Sequence, residues 1–191
     1  MKDISNMGMH QEASIISNKD SDNSISVTNY YHVECIDSEG NLKWEETIKN
    51  LVTTEGLNYI LDAGFDSATQ ITSWYVGLKN TGAPAAGDAA SALPSVGAWT
   101  EYEDYDAATR PALVLGAAVA GSIDNVGNVA SYTIASPAAD VYGVFLVDGS
   151  NKGFASPSTT LYGVGDFGAA KVVDANDTLN VTVTLKAASA A

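Results

Sequence analysis

Four carboxylates crowd the segment EYEDYD, where Glu101, Glu103, Asp104 and Asp106 fall within six residues. Hard cations such as calcium gather several carboxylate oxygens, so this run is the first place to ask about a metal. Its spacing departs from the EF-hand loop, which needs alternating acids, a central glycine and a distant glutamate. A solvated acidic loop, or a contact to a basic patch on another subunit, is the simpler account of the charges. Glycoside hydrolysis also uses two carboxylates, but they must face each other across a cleft, and closeness in sequence does not provide that.

Other reactive types are scattered. His10 lies in a polar leader and His32 in a strand-like run on the face opposite Val33; neither has a partner three or four residues on that would suggest a metal pair. Cys35, the single cysteine, excludes an internal disulfide and every CxxC zinc or redox spacing, and its apolar flanks suit a small buried hydrophobe. Gly163, Gly165 and Gly168 satisfy GxGxxG, yet no helix pattern follows and too little chain remains for a βαβ unit, so turn glycines are expected. Trp44, Trp74 and Trp99 are spread too widely to define a sugar-stacking platform and are expected to anchor a core or an interface. No residue is therefore assigned a catalytic, cofactor-binding or metal-binding role, and the chain is expected not to be an enzyme.

The elements that would hold such residues are mostly strands. With 191 residues the chain can form one ordinary domain with a real core. Seventeen glycines and only 17% charged residues suit tight turns and close sheet packing. Twenty-three acids against nine bases give a formal charge of -14, which repels phosphate backbones and anionic lipid and excludes direct nucleic-acid binding. The leader has no apolar signal core, and the longest apolar stretch, PALVLGAAVAG, is about half of the roughly 20 residues a membrane span needs; a soluble, unprocessed product with no membrane association is expected. Without a secretory signal, the glycosylation patterns at Asn176 and Asn180 are read as polar strand chemistry.

Residues 1–26 are polar and predict a flexible N-terminal arm. From Val27 the pattern alternates, with Tyr31, Val33 and Cys35 on one face, and DSEGN turns the chain toward Leu42, Trp44 and Ile48. A helix over Thr54 to Ala63 follows, capped by Thr53 or Thr54, stopped by Gly64, and docking Leu57, Ile60 and Leu61 as a lid on the core. The segment QITSWYVGLK fits a strand covered on both faces, and residues 80–98, rich in Ala, Gly and Pro, an exposed loop over the body or over a neighbour. Further strands are expected near 99–103, 111–119, 129–135, 141–147, 158–164 and 177–186, the last with Leu179, Val181, Val183 and Leu185 facing inward. The fold class is mostly β: a β-sandwich over residues 27–191, of jelly-roll type, with one short helix and an extended arm.

The ordered series IKNLVTTEGLNYILDAGF, TQITSWYVGLKNTGAPAAGDAAS, YDAATRPAL, VYGVFLVDGSNKG and DTLNVTVTL resembles a family of small virion proteins of tailed bacteriophages, over roughly residues 45–185. Some members look like capsid decoration, or cement, proteins and others are tail-fibre-like. The resemblance implies a structural virion protein, made in the host cytoplasm and placed on the capsid exterior. There it would bind the major capsid protein over coat-subunit junctions, as a homo-oligomer with a trimer favoured. The alternative it implies is a tail-fibre or receptor-binding module that holds a host surface glycan.

Overall fold

The computed structural model describes residues 25–93, 95–96, 99–135, 137, 139–153 and 159–189. The expected arm at residues 1–26, and His10 with it, lies outside the described residues except for Ile25 and Ser26, which already belong to the first strand.

Strands β1 (Ile25–Ile36) and β2 (Leu42–Val52) form the predicted hairpin. Its turn is closed by Asp37, whose Oδ1 accepts from the backbone N–H groups of Glu39 and Asn41 at 2.9 and 2.8 Å, while Gly40 takes the left-handed position at φ 89°. Alternation then buries Tyr31, Val33 and Cys35 and turns His32 and Glu34 to the opposite face.

Helix α1 (Thr54–Phe65) begins where the capping chemistry says it should: Thr53 Oγ1 accepts from Gly56 N–H at 3.1 Å, and the same hydroxyl donates to the Leu161 carbonyl. Its end differs from expectation. Gly64 stays helical because Asp66 N–H still reaches the Asp62 carbonyl at 3.0 Å, and the left-handed residue is Ser67, at φ 58°. Its face differs too: Gly56 is the buried residue, seated on the Tyr162 backbone, and Ile60 packs on the main core, but Leu57 and Leu61 point outward.

Beyond α1 come β3 (Trp74–Lys79), a 3-10 turn at Ala90–Ala92, β4 (Ser95–Val96), β5 (Trp99–Tyr102), β6 (Ala112–Leu113), β7 (Ser122–Asp124) and β8 (Ala130–Thr133). The chain closes with β9 (Val141–Val147), β10 (Leu161–Lys171) and β11 (Thr178–Ser189). The strand expected over 111–119 shrinks to Ala112–Leu113, because residues 114–121 leave the ladder for a turn with Ala120 and Gly121 at φ 49° and 75°.

Among the described residues all strands join one antiparallel sheet in the order β4-β5-β3-β9-β10-β2-β1-β11-β7, with β6 on β3 and β8 on β11. The sheet curls into a half-barrel whose flanks face each other, a mostly-β, sandwich-like fold. In place of the two separate sheets of a jelly roll, β2 carries one ladder round the bend: its first part pairs with β1 through Lys49, and Asn50–Val52 pair with Gly165–Gly163 of β10. Gly163 and Gly165 are thus strand residues, not turn residues, and a Cβ on Gly165 would meet Ile48 and Tyr31.

The main core lies between the flanks, where Val33, Leu78, Val144, Leu146, Val181 and Val183 meet, each fully buried side chain contributing about 1.5–3 kcal/mol. A second core covers the back of β3 and β9, where Phe145 and Val147 meet Leu161, Trp99, Leu93 and Ala90. In the loop expected at 80–98, residues 80–93 therefore lie on the body: they are mostly exposed at their start, but Ala90 and Leu93 are buried. Strand β3 is covered on both faces, as its sequence predicts.

Candidate functional site

The acidic run at 101–106 is pulled apart by the strand it ends. Glu101, on β5, is buried, and Arg110 donates to it from both prongs of its guanidinium, Nε to Oε1 at 2.7 Å and Nη2 to Oε2 at 2.6 Å. Gly153 N–H adds a third donor at 2.9 Å, and Arg110 Nη1 donates to the Gly149 carbonyl at 2.6 Å. Glu103 stays at the surface, where desolvation and then the neighbouring Glu101 charge raise its carboxyl above the ordinary range. Tyr105 is buried against Tyr132, and Lys152 sits 4.2 Å over its ring while donating to its carbonyl. The segment acts as a clamp between residues 101–110 and 149–153. With both oxygens of Glu101 taken by Arg110, neither a calcium cage nor a glycosidase carboxylate pair is built around it.

The other sequence candidates keep structural roles. Cys35 is buried, its thiol pushed up to about 12 by desolvation and by Asp177, whose Oδ2 accepts from it at 3.6 Å; a thiol in that state is no nucleophile near neutral pH. Trp99 donates to Asp88 at 2.7 Å, Trp44 to the Val172 carbonyl at 2.9 Å, and Trp74 packs edge-on to Tyr59 and Tyr162. They anchor three different places and form no common platform.

The hairpin does bring together three groups that helical spacing rules missed. His32, Glu34 and Glu45 have one potential ligand atom each within 4.8 Å of the others. The signal was a spacing of two residues on a strand, with the third group supplied by the cross-strand partner.

One exposed surface of the helix is apolar. Leu57, Leu61 and Phe65 repeat every four residues along α1 and are 44%, 57% and 81% exposed. Ile60, about one turn on from Leu57, lines a groove of about 360 Å³ whose walls include Ile25, Val27, Ile123, Tyr162 and Leu185. Exposed Ile25 extends the same apolar character along the start of β1. The helix is held rigidly for this display: Glu55 Oε2 accepts from Leu161 N–H at 2.8 Å and from Ala90 N–H at 3.1 Å, tying its first turn to β10 and to the loop.

These features define a sandwich-like β-protein that presents a helix-borne apolar face on an acidic body. Compared with family models, with curated proteins and with solved structures, the chain matches none of them. No helix among the described residues is long and apolar enough to cross a membrane.

Proposed function

We propose that this chain is a structural virion protein of a tailed bacteriophage, which decorates the capsid exterior as a homo-oligomer, a trimer being favoured. It binds the major capsid protein over junctions between coat subunits and stabilises the shell. The observation that carries this reading is the exposed apolar face of α1, Leu57, Leu61 and Phe65, on the same helix whose Ile60 lines the apolar groove. A face of this kind gains about 25 cal/mol per Å² when a neighbour covers it, before the costs of association. Its position on a capped and tethered helix keeps the cost of ordering low. A chain of formal charge -14 cannot replace phosphate counterions, so it stays clear of packaged DNA. The resemblance of segments spanning roughly residues 45–185 to small phage virion proteins agrees with this role.

The deciding measurement is copy number on purified particles by quantitative gel densitometry. Decoration predicts a number that rises in proportion to coat subunits. A small fixed number per particle, independent of shell size, overturns it in favour of the tail.

A further inference from the structure

The outer face of the β1–β2 hairpin sets two carboxylates side by side, while the cations of the same face, Lys49 and Lys186, stand further along the ladder near Tyr30. His32 and Glu34 are two residues apart on β1 and project from the same face. Thr47 stands directly opposite His32 in the ladder, and Glu45 directly opposite Glu34. Two glutamates in that relation repel. Among the described residues no lysine or arginine forms an ion pair with either, and the next strand sets uncharged Thr182 beside His32 and Asn180 beside Glu34.

The histidine is oriented toward the pair. Its Nδ1 lies 2.9 Å from Thr47 Oγ1 and its Nε2 3.8 Å from Glu34 Oε1. In the tautomer that donates from Nδ1 to the threonine hydroxyl, the lone pair sits on Nε2, facing the carboxylates. That is the way a metal-ligating imidazole is held by an outer partner.

We propose that His32, Glu34 and Glu45 form a surface site for a borderline divalent cation of the zinc type, with a coordination position left to water or a further ligand. One imidazole and two carboxylates suit such an ion; calcium would ask for six to eight oxygens. Metal–ligand bonds of about 2.0–2.2 Å place tetrahedral donors about 3.3–3.6 Å apart. The present spread of up to 4.8 Å closes by rotation of side chains that are half-buried or exposed, on a hairpin that fixes their roots.

The test is calorimetric titration of the full chain with zinc in excess magnesium, which occupies the diffuse acidic surface. Expected is one saturable site per chain, weakened about tenfold or more in His32→Gln and in Glu34→Gln, and about tenfold in Thr47→Val, which loses only the orienting hydroxyl. Zinc should raise the melting temperature of the parent chain and not that of Glu34→Gln. Without metal, Glu34→Gln should melt at or above the parent temperature, since the facing repulsion is gone, so its loss of binding is not loss of fold. Absence of saturable zinc binding, or binding unchanged in His32→Gln, overturns the proposal.

Discussion

Arg110 and Glu101 face each other as a two-pronged pair with both side chains fully buried, 2.7 and 2.6 Å apart at the two contacts. Removing one member strands the other charge in the interior, which costs about 3–5 kcal/mol. Arg110→Ala and Glu101→Ala should each lower the unfolding free energy read from urea titration by about that amount. The double variant Glu101→Leu with Arg110→Met, which leaves no buried charge, should recover most of the loss. Equal losses in the single and double variants would show that shape, not charge, holds the clamp.

Gly56 touches Tyr162 so closely that a Cβ there would fall inside the contact radius of the Tyr162 carbonyl oxygen. Helix propensity alone predicts that Gly56→Ala stabilises by about 1 kcal/mol. The packing predicts the reverse: α1 must lift from β10, and the variant should unfold at lower urea than the parent. The neighbouring change Gly64→Ala, with nothing within 4 Å of the added methyl, should stabilise as propensity says.

Glu103 holds its proton to higher pH in the folded chain than in the unfolded one, through desolvation and the charge of Glu101. Within that window the folded state binds more protons, so the contribution of this group to stability falls as pH rises through it. Glu103→Gln should therefore melt above the parent chain at neutral pH. The difference should vanish below the ordinary glutamate range, where both states of the parent are protonated. Melting curves of the two proteins across pH check both the sign and the window.

Leu57 and Leu61 are exposed, so Leu57→Asp with Leu61→Asp should leave the stability of the isolated chain within about 0.5 kcal/mol per site. Self-association, read by analytical ultracentrifugation, and occupancy on particles should both fall sharply. Intact occupancy in a folded double variant would remove the helix from the binding surface.

Local rules were legible wherever one residue's neighbours in sequence are also its neighbours in space. The Asp37 turn, the Thr53 cap and the alternation of β11 all follow from backbone geometry within a few residues, and each stands where its sequence placed it. The helix end was misread for a related reason: a glycine permits a left-handed stop without requiring one, and hydrogen bonding carried the helix past Gly64.

Long-range partners were not legible. Glu101 looks in sequence like one of four exposed acids, and only the arrival of Arg110 and Gly153 from later in the chain makes it a buried anchor. Leu57, Ile60 and Leu61 share a face by spacing, yet the sheet covers Gly56 and Ile60 and leaves the leucines bare, because close approach to Tyr162 selects the residue without a side chain. His32 and Glu34 meet Glu45 through the register of a hairpin. Sequence by itself determined period, turns and charge, which depend on adjacent residues. Tertiary structure decided which faces are covered and which charges are paired, because those depend on strands that meet only after the sheet has curled.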